Sequence, residues 1–143
     1  MKMIPTLYLL AGEVGFRLLH DSANGLAELS QAKADDFPDV AHDFSSERGR
    51  NHVVGAQFSN SGGKSDAEIE RPRLAHHAAL ALAAVWDKGG YERIVISAGP
   101  KMLGALRGAM PKQVAENVAV ELHKDLMKVA EHDLPAHFKD LPL

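Results

Sequence analysis

"RIVISAGPKMLGALR", residues 93–107, is the stretch on which the fold turns. Arg93 to Ala98 form a continuous apolar run without polar alternation, the pattern of a parallel strand covered on both faces. Gly99-Pro100-Lys101 follows that strand as a βα turn at a helix start. "GPKMLGALRGAM" then reads as a helix whose N-terminus follows the strand directly. A strand passing straight into a helix is half of a βα crossover, so the chain is expected to build a sheet with parallel members and helical cover.

Upstream of this unit, Ser65 or Asp66 can cap a helix, with Glu68 and Glu70 favourable in its first turns. Leu74, Ala78, Ala81 and Val85 continue it until Gly89-Gly90, and Pro72 either kinks it or marks its true first turn. The Ala-rich body from Ala75 to Ala84 is apolar on nearly every face, which places it against a sheet. Downstream, Pro111 starts a short helix, "NVAVELHKDL" (117–126) reads as a fifth strand, and Val129 to Lys139 as a short final helix. At the other end, Ile4 to Ala11 and Val14 to His20 form a hairpin across Gly12-Glu13. "DSANG" (21–25) is a second turn, and "LAELSQAKA" alternates like a half-buried third strand.

The order is thus β-β-β-α-β-α-β-α, an α/β chain with a mixed five-stranded sheet and helices on both faces. That is the ribonuclease H-like order of elements. One 143-residue domain accounts for all of it, with no internal repeat. Between about 35 and 64 the periodicity disappears, and an irregular loop of that length is unusual in a small domain unless it serves a function or moves.

Composition excludes several classes. With no cysteine there are no disulfides, thiolate nucleophiles or Cys-bound metal centres, which fits a reducing cytoplasm. A net charge of -3 gives no general attraction to nucleic acid, so DNA is not an expected partner and RNA contact would have to be local. The apolar run near the N-terminus contains Pro5 and continues into a second apolar segment, as a buried first strand does. No segment approaches the ~20 apolar residues of a membrane span, and no membrane partner is expected.

Motif spacing narrows the chemistry further. Gly63-Lys64-Ser65 ends like a Walker A loop, but the position that must be Gly is Phe58, and the segment does not follow a strand. The first and fourth strands carry no carboxylate, so a two-metal nuclease centre has no ligands there. His76 and His77 are adjacent on a helix and point about 100° apart, and no other histidine pair has a ligand spacing. No metal or cofactor is expected. Two candidate places remain: the turn Gly99-Pro100-Lys101, where N–H groups at a helix start and a Lys can hold an anion, and the loop carrying Arg48, Arg50, His52, Gly62, Gly63, Lys64 and Ser65. The basic side chains and Gly-rich backbone of that loop suit phosphate or RNA-backbone contacts.

The whole chain resembles the bacterial host attachment protein family. Ala11-Gly12-Glu13-Val14-Gly15-Phe16-Arg17 is similar to its opening strand-turn-strand, with Arg17 kept and an Asp lost, and Glu47-Arg48-Gly49-Arg50 matches a family loop without its Pro. "YERIVISAGPKMLGALR" and "VAVELHKDL" carry the strongest likeness. That family in turn looks related to the middle domain of archaeal and eukaryotic peptide release factors, whose Gly-Gly-Gln loop acts in peptide release from tRNA. In this chain Gly62-Gly63-Lys64-Ser65 stands at the comparable place, and Lys64 lacks the paired donor and acceptor of a Gln amide. The resemblance therefore implies a cytoplasmic binding or regulatory module, leaning away from catalysis and acting through the 45–66 loop. The alternative it implies is a ribosome- or tRNA-associated factor.

Overall fold

The computed structural model describes residues 4–23, 25–42, 66–139 and 141. Its regular elements are β1 (Thr6–Gly12), β2 (Gly15–Ser22), β3 (Gly25–Lys33), α1 (Asp66–Asp87), β4 (Arg93–Ser97), α2 (Pro100–Ala109), α3 (Lys112–Ala115), β5 (Val118–Leu122) and α4 (Pro135–Phe138). Single helical turns occur at Ala34–Asp36, Pro38–His42 and Glu131–Asp133. The five strands form one sheet in the order β3-β2-β1-β4-β5. β1, β2 and β3 pair antiparallel, whereas β1–β4 and β4–β5 are parallel. This is the mixed five-stranded sheet expected from the order of elements.

Strand alternation explains why β1 and β4 read as continuous apolar runs. Leu7, Leu9 and Ala11 of β1, with Ile94 and Ile96 of β4, point to one face, where Leu74, Ala75, Ala78 and Leu82 of α1 and Met102, Leu103 and Leu106 of α2 cover them. Tyr8, Leu10, Leu19 and Val95 point to the other face, under Leu126, Leu134 and Phe138 of the C-terminal segment. Each fully buried aliphatic side chain contributes about 1.5–3 kcal/mol, so both layers matter to stability.

One local reading is narrowed and three change. Pro72 lies inside α1, neither capping it nor starting it, and its side chain is exposed. The expected final helix at 129–139 is two short pieces, because Pro135 has no N–H to continue the turn begun at Glu131–Asp133. The fifth strand stops at Leu122, and Lys124 turns away to offer its carbonyl to the hydroxyl of buried Ser97 at 2.7 Å. The irregular loop begins with two helical turns, at Ala34–Asp36 and Pro38–His42.

Candidate functional site

Parallel strands leave a crevice beyond their carboxyl ends, and ligands of open α/β sheets bind there. In this chain β1 ends at Gly12 and the neighbouring β4 at Ser97, from which Ala98 and Gly99 lead into α2. A cleft of about 520 Å³ opens at that edge, walled by Gly12, Glu13, Arg71, Gly99, Lys101 and Asp125 among others. Ala67, in the first turn of α1, also lines it.

Local sequence builds each wall. Gly99 is the N-cap of α2 in extended conformation, without a side-chain cap, and Pro100 follows at the first helical position. The first turn carries no acidic residue, so its N–H groups and the helix dipole favour an anion on this side. Lys101 is exposed on the same turn. Glu13, at the β1–β2 turn, accepts a 3.0 Å hydrogen bond from Arg71 Nε of α1. Asp125 closes the third side, its Oδ1 accepting the N–H of Met127 at 3.0 Å. A Cβ on Gly12 would stand 2.7 Å from Asp125 Oδ2, which is why this wall tolerates no side chain at position 12 without displacing the carboxylate. Two cationic side chains, Arg71 and Lys101, and two carboxylates, Glu13 and Asp125, therefore line the cleft, a set suited to holding a polar group.

Gly99 and Lys101, singled out from sequence, are both in this cleft. The other candidates, Arg48, Arg50, His52, Gly62, Gly63, Lys64 and Ser65, lie outside the described residues. What the fold does fix is where the chain goes in and out of that stretch. It departs after Pro38–His42, a turn pinned to α1: Phe37 stacks on His77 with centroids 4.0 Å apart, His77 Nε2 meets Asp39 Oδ1 at 2.8 Å, and Arg73 donates to the Asp39 carbonyl at 2.6 Å. The hydrogen bond from His77 holds the Asp39 carboxyl below its ordinary range. It returns at Asp66, the first residue of α1, one position before Ala67 of the cleft.

Sequence reasoning missed the groups that lock this edge. Arg17 is buried on β2, with Nη1 directed at the carbonyls of Leu126, Met127 and Val129 at 3.2, 3.3 and 2.7 Å. Its Nη2 donates to Glu28 at 3.0 Å. This residue ties the segment containing Asp125 to the sheet; in sequence it stood out only as the Arg kept in the opening strand-turn-strand of the resemblance. Glu121 on the fifth strand pairs with Arg107 of α2. The hydrogen bonds of that pair lower the Glu121 pKa and raise that of Arg107. The C-terminal motif is thus a structural unit: Arg107 and Glu121 join helix to strand, Lys124 receives Ser97, and Asp125 faces the cleft.

Among the described residues no three His, Asp or Glu side chains gather in a way that would hold a metal ion. No buried side-chain N or O atom among them lacks a hydrogen-bond partner. No helix among them is long and apolar enough to cross a membrane.

Among solved structures, the chain is similar to an archaeal translation termination factor, aRF1, at 10% identity and a TM-score of 0.47, covering 93% of this chain and 37% of that one. It also aligns with a Ppx/GppA phosphatase of Aquifex aeolicus at 11% identity and a TM-score of 0.34, covering 84% of this chain and 35% of that one. The chain thus spans little more than a third of either protein. No curated protein matches it. The model of one protein family matches residues 15–138, from the start of β2 to the end of α4, and by that match the chain belongs to the bacterial archaeo-eukaryotic release factor family 12.

Proposed function

We propose that this protein is a ribosome- or tRNA-associated module of release-factor type, contacting RNA through the stretch containing Arg48, Arg50, His52 and Gly62-Gly63-Lys64-Ser65. The observation that carries this reading is the family match over residues 15–138. It is supported by the place where the chain re-enters the fold: Ser65 is followed directly by the start of α1, beside the cleft of Gly99 and Lys101. The mixed five-stranded sheet is compatible with the middle-domain architecture that the resemblance implies.

The role proposed is binding without hydrolysis. Gln offers a donor and an acceptor on one amide, whereas Lys offers only N–H donors and a positive charge. Lys64 is therefore suited to a phosphate and not to orienting a water at an ester. The cleft adds a second contact, in which the α2 start and Lys101 accept an anionic group while Glu13 and Asp125 limit its approach. A regulatory module without a ribosomal partner, the reading attached to the host attachment resemblance, uses the same loop but has no family match behind it.

Affinity capture from a bacterial lysate tests the proposal. Recovery of ribosomal subunits or tRNA, lost as salt rises, is the expected result, because phosphate contacts release counterions. Capture of proteins alone, with no RNA at low salt, would overturn it. A peptidyl-tRNA hydrolysis assay separates the roles, and turnover abolished by Gly63→Ala would replace binding with catalysis.

A further inference from the structure

β3 is an edge strand, and an edge strand presents unpaired N–H and C=O groups to any other extended chain. Two of its outward N–H groups are occupied by carboxylates. Glu131 Oε2 accepts the N–H of Glu28 at 2.6 Å, and Asp36 Oδ2 accepts the N–H of Lys33 at 2.8 Å. Between them the register slips: Leu18 pairs with Ser30 and Leu19 with Glu28, which leaves Leu29 as an extra, bulged residue. Counting the alternation back from Lys33 turns the N–H of Gln31 outward as well. Gln31 is exposed, and Leu29 is 41% exposed next to it.

Neither carboxylate arrives by accident of a flexible side chain. Asp36 sits in the turn that directly continues β3, at Ala34–Asp36, whose first N–H is fixed to the Val14 carbonyl at 2.8 Å. Glu131 comes from more than 100 residues away in sequence. It is delivered by the segment that Arg17 holds through the Leu126, Met127 and Val129 carbonyls, only two residues before it. The same guanidinium binds the side chain of Glu28, whose N–H Glu131 takes.

We infer that Glu131 and Asp36 are guards that close the β3 edge to strand addition, and that the partner they exclude is β3 of a second copy of this chain. Two copies of one edge can pair antiparallel about a twofold axis, each strand supplying what the other needs. A guard carboxylate fills an N–H that such pairing requires and sets a negative charge against its counterpart across the axis. The bulge at Leu29 bends the edge but leaves an apolar side chain there, so the edge is adhesive once the guards are gone.

The full chain carrying Glu131→Ala with Asp36→Ala tests this in sedimentation velocity over a concentration series. The expected result is association of the double variant at concentrations where the parent shows none, reversed by adding Gln31→Pro, which removes an outward N–H without touching the β2 ladder. A folded double variant with the parental association state overturns the inference, as does association that Gln31→Pro leaves intact. Should the double variant not fold, amide exchange on the parent decides. The Glu28 and Lys33 N–H groups are expected to exchange about tenfold more slowly than that of Gln31, since opening them must first break a bond to a carboxylate. Equal exchange at all three would overturn the proposal.

Discussion

Replacing Arg17 by Met keeps the length and apolar stem of the side chain and removes all its donors. Three carbonyls converge on Nη1, which has two hydrogens, so the 2.7 Å bond to Val129 is well formed and the contacts at 3.2 and 3.3 Å share the other hydrogen. Nη2 adds the ion pair with Glu28. Hydrogen bonds to a charged group contribute about 1.5–3 kcal/mol each, so the two well-formed ones, to Val129 and Glu28, bound the loss at roughly 3–6 kcal/mol. Glu28 is 22% exposed and recovers water on losing its partner, which argues for the lower end, about 3 kcal/mol. Domains of this size are stable by about 5–15 kcal/mol, so Arg17→Met should still fold, with a Tm lower by about 10 °C. Urea denaturation should show the midpoint falling with an unchanged slope, and Arg17→Lys, which keeps the charge and loses the fork, should fall between the two. A loss below about 1 kcal/mol for Arg17→Met would refute the clamp, since that is the effect of an ordinary surface substitution.

Gly12→Ala should push the Asp125 carboxylate out of the cleft wall and cost about 1–2 kcal/mol, and most of that cost should vanish in an Asp125→Ala background; a purely additive double-mutant cycle would contradict the contact. The Tyr8 phenol, buried and hydrogen-bonded to Asp21, is pushed up to about 12, and ultraviolet titration should show it ionising well above the free side chain. Because its folded pKa is the higher one, the native state keeps the proton while the unfolded state loses it. Stability should therefore fall as pH rises from about 10 toward 12, and a Tyr8→Phe variant should show a shallower fall. The Asp39 carboxyl should titrate below its ordinary range by carbon-detected NMR and return to it in His77→Ala; an unchanged titration would show that the pair is not formed in solution.

The fold was legible wherever the signal is local. Strands β1 and β4 are apolar on both faces because both faces are covered, and Gly99-Pro100 marks the crossover because only certain residues start a helix after a strand. Of the two places left open for Pro72 the helix interior is the one it takes: packing of Leu74, Ala75, Ala78 and Leu82 against the sheet outweighs the loss of one helical hydrogen bond. Of the candidate site, Gly99 and Lys101 were visible as a helix start, whereas Glu13, Arg71 and Asp125 were not. Their meeting depends on contacts between residues tens of positions apart, and nothing in the local pattern of a charged turn residue announces its partner. The Arg17 clamp spans 109 to 112 positions and is invisible for the same reason. Asp39 and His77 are an ordinary surface pair in sequence, and become an anchor only because Phe37 brings the turn onto α1.

We propose that the Gly62-Gly63-Lys64-Ser65 stretch brings this release-factor-family domain onto ribosomal RNA. Co-sedimentation with purified ribosomes at low salt, comparing the wild-type chain with Lys64→Ala, tests it most directly. Wild type should pellet with ribosomes and be released as salt rises, and Lys64→Ala should pellet severalfold less at the same salt. If neither protein enters the ribosomal fraction, or both do so equally, the claim fails.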